Sequence, residues 1–421
     1  MWKRGVSGVI VVILVLGIFG LTFEIQPAKA NTITVPDDYA TIQEAINNAN
    51  EGDTIYARAG VYYGDFVVNQ RLSLVGENKE TTIIVSNSTV IHDPNDPTVF
   101  VGRDTVSIKA DGVSISGFTV NGNGTYGWGI TIRGSNCVVK DNEVFGIDGE
   151  GIFLDGRANN VEGNLVINNT LRDNKGCGLL AWGANKNCIR SNTVFEDYFG
   201  IYLYGESNEN MIAHNDIHNN TDIGVGIIWH SNNNSIIDNN ISGNGQHSNE
   251  SYASGICSQT YSQSNHIINN ELSSNKRGYC EYYSAGQIIY HNSFINNSQQ
   301  FVIDSQLRPN TLDNGYPSGG NYWSDYTGLD ANSDGIGDTS YTIDASNQDR
   351  YPLMIPWKPL QGDINYDGAV DILDIVAITS IYGCKAGELK WNPQTDLAPP
   401  YGKIDILDMV TCTTHYGQKY P

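Results

Sequence analysis

The chain has 421 residues and a formal net charge of -22, with 24 Lys plus Arg against 46 Asp plus Glu. That balance argues against nucleic acid or an anionic membrane surface as a partner, because both are bound through clustered cations. Hydrophobic residues are ample for a core, and two changes of pattern divide the mature chain into two domains.

Residues 1–30 begin with Lys3 and Arg4, run apolar from Gly5 to Phe23 and end in Ala28-Lys29-Ala30. This is the layout of a secretory signal with a small-residue cleavage site, which makes Asn31 the mature start; uncleaved, the run is long enough for a membrane anchor. Either way the body is expected outside the cell, secreted or at its surface.

Residues 31–100 read as a solenoid cap. Thr41-Ile42-Gln43-Glu44 is a capping box, and Ile42, Ala45, Ile46 and Ala49 follow at helical spacing. A short amphipathic helix here would plug the first coil, whose apolar end and strand edges would otherwise recruit other chains. Gly52 marks its stop, with strands expected at 54–56, 60–62 and 72–76.

From 101 to 305 one phrase recurs. Asn142, Asn169, Asn192, Asn215, Asn239, Asn270 and Asn292 are each followed two residues later by an aliphatic or Phe, at steps of 22 to 31 residues. Between them glycines lead alternating segments: Gly129, Gly151, Gly178, Gly200, Gly226, Gly255 and Gly278. Such a period means a solenoid. A leucine-rich repeat would need leucines off the strand, where this stretch offers Asn, Ser and Gly. A parallel β-helix fits better, with Ile201, Leu203, Ile212 and Ile217 inward and asparagines in left-handed corners stacking amide on amide.

These repeats resemble the right-handed parallel β-helix of NosD-like and carbohydrate-binding/sugar-hydrolase (CASH) proteins, and the opening from Val35 to Ile46 resembles the entry to secreted pectin-lyase-like β-helices. The resemblance covers about residues 31–356. It implies a mainly β solenoid and, more weakly, an activity on polysaccharide.

Counting each glycine as position zero, positions two and four point outward. Position four reads Arg133, Asp155, Trp182, Tyr204, His230, Gln259 and Tyr282; position two reads Thr131, Phe153, Leu180, Tyr202, Ile228, Cys257 and Cys280. Stacked at about 4.8 Å per rung, they would form one track on which sugar rings stack and polar neighbours bond hydroxyls. Trp182, Tyr202, Tyr204, His230, Phe153 and Tyr282 are the candidate substrate-binding residues, although aromatics also line sheet faces simply to pack on one another. Asp155 with Glu150, Asp148 or Glu206 offers the two carboxylates of a hydrolase, and Arg133 beside Asp155 the base and cation of a lyase.

Asp330, Asn332, Asp334, the Ile336 carbonyl and Asp338 stand at positions 1, 3, 5, 7 and 9 of a calcium-type loop, with Gly335 at 6 and Tyr341 where a bidentate acid belongs. This segment, 306–356, resembles the terminal piece of archaeal NosD-like proteins. A proline-punctuated linker from Pro352 to Pro359 then leads to a different domain, 357–421, in which Val370 to Gly383 repeats as Ile404 to Gly417. Its first loop sets Asp363, Asn365, Asp367, the Ala369 carbonyl, Asp371 and Asp374 at the ligand positions of an EF-hand, with Gly368 at the turn. The duplication resembles a dockerin, which implies Ca2+ and docking onto a cohesin-like module. In the second loop Asp396, Asp405 and Asp408 remain, but Ala398, Pro399 and Pro400 replace the middle ligands. The pairs Ile372-Leu373 and Ile406-Leu407 are placed to face a cohesin-like partner or this chain's own β-helix, or to be buried.

Seven cysteines is an odd number. Cys257 and Cys280 hold equivalent places in adjacent coils, and Cys384 and Cys412 in the two terminal halves make the better disulfide pair. The whole suggests an exported polysaccharide-binding β-helix, with hydrolase or lyase activity open. The alternatives are a non-catalytic surface scaffold or adhesin, and a NosD-like copper-insertion accessory, disfavoured by the lack of clustered Cys, Met or His.

Overall fold

The structure is a computed structural model that describes residues 30–87, 91–93, 96–101, 103–358, 360–365, 368–385, 392–399 and 401–419. The expected signal segment 1–29, Asp367 of the first terminal loop and Pro400 of the second lie outside the described residues.

Three parallel sheets of 11, 11 and 10 strands make a right-handed-type β-solenoid of about eleven turns. The first sheet runs from Thr32–Val35 to Ile288–Tyr290, the second from Gly60–Tyr63 to Tyr322–Trp323, and the third from Phe66–Val68 to Gln299–Arg308. Aliphatics stack in register along each: Ile152, Leu179, Ile201, Val225 and Ile256 in the third sheet, and Ile189, Ile212, Ile236, Ile267 and Ile289 in the first. All of these are fully buried, and each contributes on the order of 1.5–3 kcal/mol of transfer free energy.

The corners carry the asparagines. Asn215 Oδ1 accepts both the backbone N–H and the side-chain amide of Asn192, at 2.9 and 3.0 Å, and Asn215 passes the same pair of bonds to Asn239. Its Nδ2 also donates to the Ile189 carbonyl at 2.9 Å. The sequence revealed this one ladder; the folded chain has two more. They run Asn164, Asn187, Asn210, Asn234, Asn265 and Gln287 at the second corner, and Asn174, Asp197, Asn220, Asn244, Asn275 and Asn297 at the third. One expectation is corrected. The left-handed backbone belongs to the residue before the ladder asparagine, such as Ser191 (φ 53) and His214 (φ 53), because the ladder side chain must already point along the stack when the corner has been turned.

Both ends are closed. Helix α1 (Ile42–Asn48) realises the capping box between Thr41 and Glu44 and buries Ile42, Ala45 and Ile46. At the other end Trp323 lies between Phe294 and Tyr341, with ring centroids 4.4 and 4.2 Å away, and donates Nε1–H to Asp349 at 2.8 Å.

Helices α2 (Ile372–Ser380) and α3 (Ile406–Thr414) share an apolar cluster of their own, built from Ile364, Val370, Ile378, Ile404 and Cys412. Asp371 with Asp374, and Asp405 with Asp408, form capping boxes at their starts. Ile372, Leu373, Ile406 and Leu407 are 43–57% exposed, so neither pair is buried and neither rests on the solenoid. The helical unit meets the solenoid through its second loop instead: Arg190 Nη1 donates to the Asp396 carbonyl at 2.8 Å. The disulfide expectations are also corrected, since all seven cysteines are free. Cys257 and Cys280 do stand in register on neighbouring strands, and Cys412 turns its thiol to the Gly362 carbonyl.

Candidate functional site

The outer face of the third sheet carries the expected columns in part. Asp155, Trp182 and Tyr204 pair rung by rung, as do Phe153, Leu180 and Tyr202. In the next coil the register slips by two. Tyr204 pairs with Ile228 and Tyr202 with Gly226, so Gly224 takes the zero place that the sequence assigned to Gly226. The Tyr202 ring occupies the room that a side chain at Gly226 would need, 2.4 Å from an added Cβ. His230 is thereby carried off the strand into a left-handed turn (φ 57), where it stacks on Tyr261 at 5.3 Å. Tyr282 is in column but lies beyond Ile228 and Gln259, three rungs from Tyr204. Of the six candidate sugar contacts, Phe153, Trp182, Tyr202 and Tyr204 come together; His230 and Tyr282 stand apart.

Phe153 and Leu180 are buried, with Trp128, Trp182, Phe199, Tyr202 and Tyr204 packed around them. Trp128 meets Phe153 at 5.5 Å, and Trp182 and Tyr204 meet edge to face at 5.0 Å. Trp229 continues the row from Tyr204 at 5.5 Å and is half exposed.

Arg157, which the sequence reading passed over, sits at the centre of this surface. Its guanidinium lies 5.0 Å from the Phe153 and Trp182 ring centres and 5.9 Å from that of Trp128. Asp155 holds it by two bonds, Nε to Oδ1 at 2.7 Å and Nη2 to Oδ2 at 3.1 Å. Arg133 donates Nε–H to the same Oδ2 at 3.0 Å and is itself gripped by Asp104. Burial would raise the Asp155 pKa, but the Arg157 hydrogen bonds and the two guanidinium charges outweigh it, and the carboxyl is held below the usual carboxylate range. Asp155 is thus an orienting anion for Arg157, poorly suited to giving up a proton.

Glu150 differs. Burial lifts its pKa, opposed by its own backbone N–H, by Trp128 and by Arg157. It lines a pocket of about 320 Å³ together with Trp128, Asp148, Phe153, Arg157, Lys175 and Trp182. Gly176 forms part of the floor, and an added Cβ there would stand 3.2 Å from Glu150 Oε1. Lys175 and Asp148 pair at 3.0 Å on the rim. A second depression of about 470 Å³, bounded by Asn185, Glu206 and Asn208, shares Arg157 and Trp182 with the first. The two form one groove with the Arg157–Trp182 pair as its central ridge. Its chemistry is that of stacking surfaces, one fixed cation and one carboxyl group with raised proton affinity. The local signal for Arg157 was Asp155-Gly156-Arg157, a cation two residues beyond a strand-end carboxylate.

A family model described as periplasmic copper-binding protein (NosD) matches residues 46–261 and 248–328. The chain belongs to the NosD family. A curated relative, a cell surface glycoprotein of Methanothermus fervidus, is 29% identical over 243 residues, which is 48% of this chain and 37% of the relative. Among solved structures, ORF18 of Geobacillus virus E2 superposes with a TM-score of 0.50 at 15% identity, covering 66% of this chain and 60% of that one. The A-module of Azotobacter vinelandii mannuronan C-5 epimerase AlgE4 gives 0.43 at 16% identity, covering 65% and 96%. The chain therefore spans well under two thirds of the surface glycoprotein, and its likeness to the viral protein is one of fold.

Copper needs soft or imidazole donors in a cluster. In this NosD-family chain no three His, Cys, Asp or Glu residues gather closely enough for a metal among the described residues. Burial pushes the Cys137 thiol up to about 11 and the Cys188 thiol up to about 12, away from the thiolate form that a metal requires. The donor set does not fit a copper centre.

The expected calcium loops keep a definite internal geometry. In the first, Asp363 Oδ2 accepts the Gly368 N–H at 2.9 Å, and the fully buried Asp374 accepts the N–H groups of Ile364 and Asp371 at 2.7 and 2.8 Å. Both carboxylates thus turn inward, with hard oxygens of the kind calcium takes. In the loop at 330, Asp330 accepts from Asp334 and Gly335, Asp334 from Ile336, and Asp338 from Ala331, so these oxygens already close an Asx-type turn.

Proposed function

We propose that the protein is an exported β-helix that binds an extended polysaccharide along the outer face of the third sheet. The observation that carries this is the groove in which Asp155 holds Arg157 with its guanidinium 5.0 Å from the ring centres of both Phe153 and Trp182. Rings and a fixed guanidinium suit sugar faces and acidic substituents, while the neighbouring coils repeat the contact at about 4.8 Å per rung. Within it Glu150 is the group suited to proton transfer, because burial favours its protonated form. Asp155 and Arg133 position Arg157, and Trp182, Tyr204 and Trp229 carry the sugar chain.

The test is binding and turnover on a panel of neutral and uronate polysaccharides, read by retardation in affinity gels, reducing-end release and unsaturated-product absorbance. Trp182→Ala should weaken binding, and Glu150→Gln should stop turnover while binding persists. Binding without turnover by the wild type would return the protein to a second reading, a rigid non-catalytic surface element. That reading is favoured by the relative described as a cell surface glycoprotein.

The helical unit is read as dockerin-like, with Ca2+ held by Asp363, Asn365, Asp367, Asp371 and Asp374 and by the Ala369 carbonyl. The exposed pairs Ile372-Leu373 and Ile406-Leu407 are then its face toward a cohesin-like partner. A weaker calcium site is assigned to the loop of Asp330, Asn332, Asp334, Ile336 and Asp338.

A further inference from the structure

The two terminal loops share one scaffold and differ in one respect. Asp396 Oδ2 accepts from Gly402, and Asp408 accepts from Leu397, Ala398 and Asp405, matching the bonds of Asp363 and Asp374 in the first loop. Where the first loop carries Asn365 and Asp367, the second carries Ala398 and Pro399 and then Tyr401. The polar ligands are replaced by apolar groups and a ring.

Those groups meet a complementary patch on the solenoid. On the outer face of the first sheet, most coils present polar or mixed residues such as Ser114, Ser235 and His266 in one column. A consecutive run of coils departs from this, with Val138, Leu165, Cys188 and Met211 in that column and Ile167 and Arg190 in the next. Leu165, Ile167 and Cys188 are 2–3% exposed and pack with Met211 and Tyr401. Arg190 is itself 4% exposed, lies 4.6 Å from the Tyr401 ring centre and donates to the Asp396 carbonyl at 2.8 Å. Desolvating an arginine is costly unless its donors and charge are met, and here the helical unit supplies an acceptor, a π-face and an acid. Asp396 is completely buried.

We infer that the second loop is an intramolecular latch: through Asp396 and Tyr401 it fastens the helical unit to the solenoid flank at Arg190, leaving the Ile372-Leu373 and Ile406-Leu407 faces of α2 and α3 exposed. The two copies have divided the work, one keeping its full set of oxygens and the other becoming a docking contact. Burial raises the Asp396 pKa, while the Gly402 N–H and the Arg190 guanidinium oppose the rise, so Arg190 meets part of the charge of the acidic second loop. This inference is independent of what the groove binds and of whether the first loop holds calcium.

The full chain and its Arg190→Ala and Tyr401→Ser variants are compared by small-angle scattering and by limited proteolysis of the linker at 352–359. The expected result is a larger maximum dimension and at least tenfold faster linker cleavage in both variants, with the solenoid's circular dichroism retained. Val410→Ser, on the exposed face of α3, should behave as wild type. Scattering curves and cleavage rates that match wild type in Tyr401→Ser would overturn the latch; this variant decides even where Arg190→Ala disturbs the solenoid, since Tyr401 lies outside it.

Discussion

Asp197 receives two hydrogen bonds from Asn174 on a single oxygen, Oδ1, at 2.8 and 2.9 Å, while its Oδ2 is buried without a partner. It stands in a column that is otherwise asparagine, where the second side-chain atom is an NH2 donating to a carbonyl inside the solenoid, as Asn220 does to Val194 at 3.3 Å. By register the corresponding carbonyl is that of Leu171, and only a protonated carboxyl can serve it.

The consequence is a pH dependence of stability. Burial lifts the Asp197 pKa from 3.8 to about 8. A carboxyl whose folded pKa is raised stabilises fully below its unfolded pKa, and that contribution is lost as pH climbs from about 4 through 8. Asp197→Asn should remove this slope, raising stability at pH 8 and above by on the order of a few kcal/mol. Urea midpoints across pH 5 to 9 would check it; a variant whose midpoint stays parallel to wild type throughout would refute the assignment.

The ladder itself is tested at Asn215. Alanine there strands the buried Asn192 N–H and removes the amide bond to the Ile189 carbonyl, and it takes one of two bonds each from the Asn192 amide, which keeps Val166, and from Asn239 Oδ1, which keeps the backbone N–H at 215. Each stranded group costs about 1–3 kcal/mol, so a loss of about 3–5 kcal/mol is expected after partial relaxation. The neighbouring Asp216 cannot compensate, since it lies on the next strand, Asp216–His218, and accepts from the Asn240 amide at 2.9 Å. Chemical denaturation gives the value, and a loss below about 1 kcal/mol would mean that the ladder is ornamental.

How far the sequence led can be seen at two places. The solenoid was legible because Ile212, Asn215 and Ile217 each repeat with one chemistry per coil, and the inward positions tolerate little else. Phasing failed at Gly224 and Gly226, two glycines at strand spacing, either of which satisfies the pattern. The choice between them is made by Tyr202, whose ring takes the space above Gly226. Arg157 was missed for a related reason: it lies past the strand, so no period announces it, and its place is set by the Asp155 carboxylate and by rings from three coils. The two further ladders are equally regular in the sequence, five residues before and five after the ladder asparagine in every coil, as Asn210 and Asn220 flank Asn215, and only the stacking of the coils shows that they too bond amide to amide.

In the groove, Arg157→Met keeps a flexible apolar chain between Phe153 and Trp182 but removes the charge and frees Asp155. If uronates are the ligands, affinity for them should fall about tenfold or more, with neutral glycans affected less. Without Arg157, Asp155 also loses the stronger of its two depressing charges, so its pKa should rise; carboxylate titration by NMR reads this directly. Equal losses for charged and neutral glycans would show that Arg157 acts only by packing.

Calcium provides the last test, and Asp363→Asn is the sharpest variant for it. The amide oxygen can still accept the Gly368 N–H that Asp363 accepts at 2.9 Å, so the turn is preserved while one ligand charge is removed. Asp374 is unsuitable, because it also accepts the Ile364 and Asp371 N–H groups and closes the capping box of α2. An ion that binds only the folded unit stabilises it by about 2.7 kcal/mol at a hundredfold excess over Kd. Calorimetry of the full chain should therefore show one transition rising with calcium and falling with chelator in the wild type, and much less movement in Asp363→Asn. Superimposable traces with and without calcium in the wild type would remove the ion from the first loop, and the two helices would then rest on Ile364, Val370, Ile378, Ile404 and Cys412 alone.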